Sequence, residues 1–245
     1  RVLVHLANEV AAQWGESVRH FHRRRRVQVT GNPIRAAVRR VDRAEAAAEL
    51  GLDPALPTLL VMGGSLGATP LNKHLLAALP LLQEQGRVLQ AVHLAGRHDA
   101  DAVRGAYRQA GIPAVVFDFL EDMSLAYSVA DLALCRAGGT SIAELTALGV
   151  PALYVPLPHA TDNHQHLNAS VLESRGAAVL LEQKTLTPEF LAGCIGGLLS
   201  RPERLAELAG RSRSIGVPTA AAAVADRVEV LCRRARRLVP AEGRA

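Results

Sequence analysis

From residue 58 onward, short apolar runs alternate with helix-length segments, and this alternation constrains the fold more than any other feature of the sequence. It is typical of βαβ units, in which a parallel sheet is covered by helices on both faces. The sequence therefore predicts an α/β fold. The candidate strands are Thr58–Met62, Val88–Leu94, Ala114–Phe119, Leu132–Cys135, Ala152–Val155 and Ala178–Leu181.

The loop after the first strand, GGSLGA at residues 63–68, permits two interpretations. As Gly-x-Ser-x-Gly it is typical of a hydrolase, with Ser65 as nucleophile and Asp131 and His159 following in the order Ser, Asp, His. As a glycine-rich turn before a helix near Thr69, it favours phosphate, because glycine lets an anion approach the backbone closely. A hydrolase elbow follows a strand well inside its sheet, whereas this turn follows the first strand of the series. The phosphate interpretation is therefore favoured.

A second glycine turn, Gly138-Gly139-Thr140-Ser141, precedes a helical pattern from Ile142 to Leu148. Ligands of open parallel sheets bind beyond the carboxyl ends of the strands, and helix N-termini there attract anions. Two such N-termini on one rim suit a diphosphate, although two ordinary turns with helix caps remain the structural alternative. Glu144, one turn further on, suits the two hydroxyls of a ribose or the role of a capping or dipole-favourable glutamate.

The segment from His159 to Ala169 is unusually polar for a strand-to-helix junction, and its amides and hydroxyls suit a sugar. Three of its residues, His159, His164 and His166, raise the alternative of a metal site. Their spacing does not match H-E-x-x-H, no carboxylate cluster completes a site, and the three cysteines show no C-x-x-C spacing. We therefore predict neither a metal nor a cofactor.

The formal net charge of +5 comes largely from arginine clusters at residues 23–26 and 233–237. Such clusters suit nucleic acid, an anionic membrane surface or simply solvent. Aromatic residues make up 3% of the chain, too few for a base-stacking surface, so no nucleic-acid partner is expected. We expect no membrane-spanning helix, since no run of about 18 apolar residues occurs. Widely spaced cysteines fit a reducing, cytoplasmic setting.

The two ends of the chain do not fit the alternating series. Residues 6–18 carry a helical pattern, and Gly31-Asn32-Pro33 is a turn signal. We interpret residues 1–35 as the end of a preceding domain with a linker. The start at Arg1 rather than Met indicates a processed, trimmed or partial chain. Near the other end, Val224, Val228 and Leu231 form the apolar stripe of a last helix.

Five motifs follow one another along the chain: VTGNPIR (29–35), GGSLGATPLN (63–72), FLEDM (119–123), CRAGGTSIAEL (135–145) and GVPALYVPLPHATDNHQHLNA (149–169). In this order they resemble the MurG family, the peptidoglycan GlcNAc transferases that make lipid II from lipid I and UDP-GlcNAc. The resemblance implies a Rossmann-like parallel sheet with helices on both faces, the donor-binding half of a GT-B fold. Residues 1–35 would end the N-terminal acceptor domain and link the domains, 36–239 would form the UDP-GlcNAc-binding domain, and 240–245 would be a frayed tail.

The resemblance also implies which residues bind UDP-GlcNAc. Arg35 would contact the diphosphate, Ser65 and Gly67 would lie beside the nucleotide, and the backbone of Leu120 would meet the uracil. The others would be Gly139, Thr140 and Ser141 at the phosphates, Glu144 at the ribose hydroxyls, and Asn163, His164 and Gln165 at the GlcNAc. Leu66 stands where members often carry Gln, and His164 where some carry a second Gln, so donor contacts at these two positions would differ.

The implied reaction is inverting transfer of GlcNAc to the MurNAc of undecaprenyl-diphosphate-MurNAc-pentapeptide, by a peripheral enzyme on the cytoplasmic side of the cell membrane. Its partners would be UDP-GlcNAc, lipid I and the membrane surface. The catalytic base and acceptor loops of the family belong to an N-terminal domain that this sequence does not show, so no catalytic residue is assigned. The alternatives are a stand-alone nucleotide-sugar-binding subunit, a GT-B glycosyltransferase of different donor or acceptor, and the serine hydrolase.

Overall fold

The computed structural model describes residues 5–64 and 68–238, with side chains as far as Arg234. The strands are β1 (Val10–Ala12), β2 (Val27–Val29), β3 (Thr58–Met62), β4 (Gln90–Leu94), β5 (Ala114–Phe117), β6 (Leu132–Cys135), β7 (Ala152–Tyr154) and β8 (Val179–Leu180). The α-helices are α1 (Arg43–Leu50), α2 (Thr69–Glu84), α3 (Ala100–Gln109), α4 (Met123–Val129), α5 (Gly139–Leu148), α6 (His164–Ser174), α7 (Pro188–Leu199), α8 (Pro202–Ile215) and α9 (Ala220–Leu238). Short 3-10 helices cover Gly15–His20, Arg24–Arg26, Thr161–Asn163 and Gln183–Thr185.

The chain divides into two compact units, a large one from Arg35 to Gly216 and a small one that joins Arg1–Ile34 to Val217–Ala245. The sequence predicts a single domain over 36–239, whereas the structure groups α9 with the first residues of the chain. One reason is an ion pair within the small unit, in which the Arg227 guanidinium of α9 meets the carboxylate of Glu9 with an Nε–Oε2 distance of 2.9 Å.

The predicted helix over residues 6–18 is wrong. In the small unit this stretch forms β1 and the 3-10 helix Gly15–His20. Strand β1 pairs in parallel with β2, with Val10 opposite Val27 and Ala12 opposite Val29. The hydrogen bonds that this pairing supplies are long-range, and tertiary context of this kind overrides a weak local helix preference.

The large unit contains a six-stranded sheet in the order β5-β4-β3-β6-β7-β8, with every neighbouring pair parallel. Helices α2, α3 and α7 pack over one face, while α1 with α4 and α5 with α8 pack over the other. The predicted α/β class is therefore confirmed. The strand order reverses between β3 and β6, which makes their carboxyl ends the expected place for a ligand in a doubly wound sheet.

The six predicted strands are confirmed as β3 to β8, four of them shorter than expected. The interior of the sheet explains why they were recognisable: all five residues of β3 and all four of β6 are buried. A strand covered on both faces is apolar along its whole length, so it appears in a sequence as a continuous hydrophobic run. The ends of strands lack this signal, and the observed strand boundaries therefore differ from the predicted ones.

A chain of buried polar side chains ties β4 to the helices on either side of its loop. His93 of β4 is fully buried, with Nε2 3.1 Å from Asn72 Oδ1 and Nδ1 3.2 Å from the Tyr107 hydroxyl. Asn72 Nδ2 donates to the Ala95 carbonyl at 2.9 Å and to Asp99 Oδ2 at 2.7 Å. Because this amide nitrogen is committed as a donor, Asn72 Oδ1 is an acceptor and His93 carries its proton on Nε2. The first turn of α2 is thereby fixed against the sheet.

Candidate functional site

The loops that follow β3 and β6 lie side by side, because these two strands are neighbours in the sheet. Met62 pairs with Cys135 at the carboxyl end of both strands. Each loop leads into a helix: α2 begins at Thr69 and α5 at Gly139. Gly64 of the first glycine turn and Gly138 of the second thus follow neighbouring strand ends, at the point where the strand order reverses.

The first backbone donors of helix α5 have no partner among the described residues. Its N-cap, Gly138, provides no side-chain hydrogen bond, and the first intrahelical bond runs from the Ile142 N–H to the Gly138 carbonyl at 3.0 Å. The N–H groups of Gly139, Thr140 and Ser141 therefore have no partner within the helix. Such donors, together with the positive end of the helix dipole, stabilise a bound anion.

The turn before α2 has the same character where it is described. Gly64 has φ +98°, a conformation that side chains rarely adopt, and a Cβ atom there would meet open space. Ala68, the N-cap of α2, provides no side-chain cap, so the first turn of this helix also has donors without a cap. Ser65, Leu66 and Gly67 lie outside the described residues, and their predicted roles stay predictions.

A cavity of about 380 Å³ opens at the carboxyl ends of these strands, within the large unit. It combines the first turn of α5 with residues of the loop between β5 and α4, and its inner wall is largely apolar. Five of the residues predicted from the sequence line it together. The lining residues are Arg35, Met62, Gly64, Leu94, Asp118, Phe119, Leu120, Met123, Tyr127, Thr140, Ser141 and Glu144.

Glu144 is the acidic group on the inner wall of the cavity. Glu144 is only 5% exposed, and its Oε2 accepts a hydrogen bond of 2.6 Å from the hydroxyl of Tyr127. Among the described residues, no basic side chain forms an ion pair with this carboxylate. The hydroxyl donor is itself buried, and burial together with the negative charge of Glu144 raises the pKa of Tyr127 well above its ordinary value.

The opposite wall of the cavity belongs to the loop between β5 and α4. Leu120 is half-buried, and Phe119 is 63% exposed at the rim. The loop is held by Asp122, the N-cap of α4, which accepts from the Ser124 N–H at 2.9 Å. This hydrogen bond lowers the pKa of Asp122, and the nearby charge of Arg35 acts in the same direction. Arg35 is exposed at the mouth of the cavity, where its guanidinium is open to an anionic group.

Arg136 lies behind the second glycine turn and is 6% exposed. Its Nη1 donates to the carbonyls of Val155 and Pro156, at 3.0 and 3.3 Å, whereas Nε and Nη2 are buried and have no hydrogen-bond partner among the described residues. Burial lowers the pKa of this guanidinium. Arg136 thus places a buried positive charge next to the chain that leaves β7, and in sequence it precedes the start of α5 by three residues.

The predicted sugar-binding residues lie in the junction between β7 and α6, and none of them lines the cavity just described. Asn163 has φ +53° and lines a separate cavity of about 300 Å³, together with His166 and Glu182. His164 Nδ1 donates to the Thr161 carbonyl at 2.8 Å, and Gln165 Oε1 accepts from the Leu157 N–H at 3.0 Å. Both side chains therefore hold the loop in shape, and their contact with a sugar stays a prediction.

Sequence reasoning missed several contributors to the site. Tyr127 lies in an apolar helix with no motif around it, and Asp118, paired with Arg104 at 2.9 Å, looks like any acidic loop residue. Asn168 donates to the Ala137 carbonyl at 3.3 Å and so joins α6 to the second glycine turn. Spacing alone does not reveal such partners, because they come from elements that meet only in the folded sheet.

Within residues 5–64 and 68–238, no three His, Cys, Asp or Glu side chains come together in a group able to hold a metal ion. No helix in the described part of the chain is both long and apolar enough to cross a membrane.

Comparison with known proteins places this geometry in context. The glycosyltransferase family 28 C-terminal domain matches residues 58–225. A UDP-N-acetylglucosamine–N-acetylmuramyl-(pentapeptide) pyrophosphoryl-undecaprenol N-acetylglucosamine transferase from Azotobacter vinelandii is 41% identical over 233 residues, which cover 92% of this chain and 61% of the relative. The chain thus spans about three fifths of the length of that relative.

Solved structures give the same picture. The crystal structure of MurG from Acinetobacter baumannii superimposes with a TM-score of 0.73 and 33% identity, covering 93% of this chain and 62% of that one. A putative UDP-N-acetylglucosamine 2-epimerase from Listeria monocytogenes has a TM-score of 0.67 at 15% identity, covering 94% of this chain and 61% of that one. At that identity the likeness shows a shared fold alone.

Proposed function

The chain belongs to the family of glycosyltransferase family 28 C-terminal domains, and from that premise we propose that it is the donor-binding part of a transferase that makes lipid II from lipid I and UDP-GlcNAc. The names of its relatives carry this activity, and the chain spans about three fifths of their length. The observation that supports the proposal best is the cavity at the junction of β3 and β6, where unpaired helix donors and a buried carboxylate face the same space.

The cavity has a separate feature for each part of a nucleoside diphosphate. We assign the uracil to the apolar wall at Leu120, the ribose hydroxyls to Glu144, and the phosphates to Gly139, Thr140 and Ser141 at the start of α5. Arg35 at the mouth would pair with the diphosphate. Ser65 and Gly67 would lie beside the nucleotide, and Asn163, His164 and Gln165 would face the GlcNAc.

The proposed chemistry is inverting glycosyl transfer. A hydroxyl of the acceptor MurNAc forms a bond to the anomeric carbon of GlcNAc, the bond from that carbon to the diphosphate breaks, and UDP leaves with the electron pair. Negative charge therefore grows on the diphosphate, where the N–H groups of α5, Arg35 and the charge of Arg136 stabilise it. The proton of the attacking hydroxyl passes to a base that we assign to the part of the relatives that this chain does not span.

The same proposal covers partners and location. Lipid I would be the acceptor, and the enzyme would work as a peripheral protein on the cytoplasmic side of the cell membrane. The arginines at residues 23–26 are basic groups suited to an anionic surface. Nucleic acid is not among the proposed partners.

Titration calorimetry of the 245-residue chain tests the donor assignment. We expect binding of UDP and UDP-GlcNAc, weaker binding of UDP-glucose, and little binding of GDP. Glu144→Gln should weaken UDP binding at least tenfold, because a neutral amide is a poorer acceptor for ribose hydroxyls than a carboxylate. Glu121→Gln, in the loop between β5 and α4 but outside the cavity lining, is the matched control and should bind like the parent. Equal binding of UDP and GDP would refute the assignment.

Lipid II synthesis is a separate readout. We expect the 245-residue chain alone to bind the donor and to transfer no GlcNAc, because the base is assigned elsewhere. Measurable lipid II from the purified chain would contradict the assignment of the base to the part of the relatives that this chain does not span.

A further inference from the structure

Glu144 faces the cavity from a setting that would normally disfavour a carboxylate. It is 95% buried, and no cation is paired with it among the described residues. A buried carboxylate needs compensating hydrogen bonds, because its removal from water is unfavourable. The structure supplies one such bond, from the Tyr127 hydroxyl to Oε2 at 2.6 Å. Within the described part of the chain, no hydrogen bond reaches the other oxygen, Oε1.

The donor side of this bond is unusually rigid. Tyr127 is 1% exposed and lies on α4, whose start is capped by Asp122. Two hydroxyls of the same helix anchor it to the chain before α1: Ser124 donates to the Ala37 carbonyl at 2.9 Å, and Ser128 accepts from the Val41 N–H at 2.9 Å. The position of the tyrosine hydroxyl is therefore set by backbone contacts at several points and not by its own rotamer alone.

The acceptor side is rigid as well. Glu144 projects from the middle of α5, between the buried residues Ala143 and Leu145. Two helices on one face of the sheet thus present a fixed hydroxyl to a fixed carboxylate. Oε2 of Glu144 already accepts the hydrogen bond from Tyr127, whereas Oε1 is available to accept hydrogen bonds from a ligand.

From this geometry we propose that Tyr127 is a positioning residue for the donor site: by holding Oε2 of Glu144, it fixes the carboxylate in the orientation in which Oε1 accepts the hydroxyls of a ribose. The inference rests on the proposed function, since it assumes a ribonucleotide in the cavity. Tyr127 acts through Glu144, and its hydroxyl remains a donor because the pKa of Tyr127 is raised by burial and by the carboxylate.

The consequence is a selectivity that a structural role alone would not produce. A tyrosine needed only for packing would, when altered, weaken UDP and deoxy-UDP equally. A tyrosine that orients Glu144 would, when altered, weaken the ligand with both hydroxyls and leave the deoxy ligands almost unchanged. The ratio of dissociation constants, deoxy ligand over UDP, therefore separates the two roles.

The experiment measures that ratio by calorimetry for UDP, 2′-deoxy-UDP and 3′-deoxy-UDP. Tyr127→Phe removes one oxygen and keeps the ring, and we expect the preference for UDP to fall about tenfold, in line with the loss of a hydrogen bond to a charged group. Tyr107→Phe is the matched control, because it removes another fully buried hydroxyl that is bonded to His93, outside the cavity lining. It should keep the preference of the parent.

A double variant tests whether Tyr127 acts through Glu144 even if the single change also alters stability. Combined with Glu144→Gln, Tyr127→Phe should cause no further loss of preference, since the group it positions is already neutral. Retention of the full preference in Tyr127→Phe would overturn the inference while the donor assignment stands. A parent chain that binds UDP with no preference over deoxy-UDP would overturn the inference together with the assignment of the ribose hydroxyls to Glu144, whereas a parent that does not bind UDP would overturn the donor assignment as a whole.

Discussion

Acid should weaken the fold through His93, and the structure gives the size of the effect. Burial lowers the pKa of this imidazole from 6.5 to about 3, against a smaller opposing influence from the charge of Asp99. Its Nε2–H donates to Asn72 and its Nδ1 accepts from Tyr107, so an added proton would displace a hydrogen bond as well as charge a dry interior.

The direction of the effect follows from which state binds the proton. Between about pH 6.5 and pH 3 the unfolded chain binds a proton at His93 and the folded chain does not, so the stability due to the neutral imidazole is complete above pH 6.5 and is lost as the pH falls toward 3. With these two values, the free energy of unfolding should drop by about 2 kcal/mol between pH 8 and pH 5 from this group alone.

Urea denaturation of the parent, His93→Gln and His98→Gln at pH 8 and pH 5 measures that difference. His93→Gln removes the titrating ring, so its acid loss should be smaller than that of the parent by about 2 kcal/mol. His98, exposed in the loop after β4, is the matched control, and His98→Gln should lose as much stability as the parent. If His93→Gln and the parent lose equal stability, the reasoning from burial is refuted.

Two further expectations concern a glycine and a buried charge. Gly216→Ala should destabilise the fold by about 1–3 kcal/mol, because its Cβ would lie 2.5 Å from the Thr146 carbonyl oxygen. The control is Gly210→Ala, in α8 with open space around it, which should stabilise the fold by up to about 1 kcal/mol. A Gly216→Ala protein as stable as the parent in urea would contradict the packing argument. Arg136→Met should weaken UDP more than uridine, because the guanidinium adds positive charge behind the helix end assigned to the phosphates, and calorimetry showing equal losses for both ligands would exclude that role.

The parts of the fold that were predictable are those whose signal is local. Strand β3 is apolar throughout because both of its faces are covered, and Gly138 marks the start of α5 because a helix begins where the chain leaves a tight turn. The helix expected over residues 6–18 failed for the opposite reason. In the strand that forms there instead, each residue of β1 pairs with a residue of β2 seventeen positions later, and the local sequence pattern carries no signal for such a pairing.

The residues of the candidate site also fall into those with a local sequence pattern and those without one. Thr140, Ser141 and Glu144 were found because a glycine turn and a following acid form a pattern within a few residues. Tyr127 was not, because its importance comes from one 2.6 Å contact between α4 and α5. The predicted contact of Asn163 with the sugar stays a prediction, because the structure places this residue at a different cavity from the one lined by Glu144.

The adjacency of β3 and β6 has a consequence for how the chain acquires its pocket during synthesis. These strands are neighbours in the sheet although β4, β5 and three helices, α2 to α4, lie between them in the chain. A nascent chain that has emerged only as far as β5 has the first glycine turn but no second one, and so has no complete site. If the proposed function holds, nucleotide stabilises the protein only after both halves have folded together, so it favours the late steps of assembly and not the first ones.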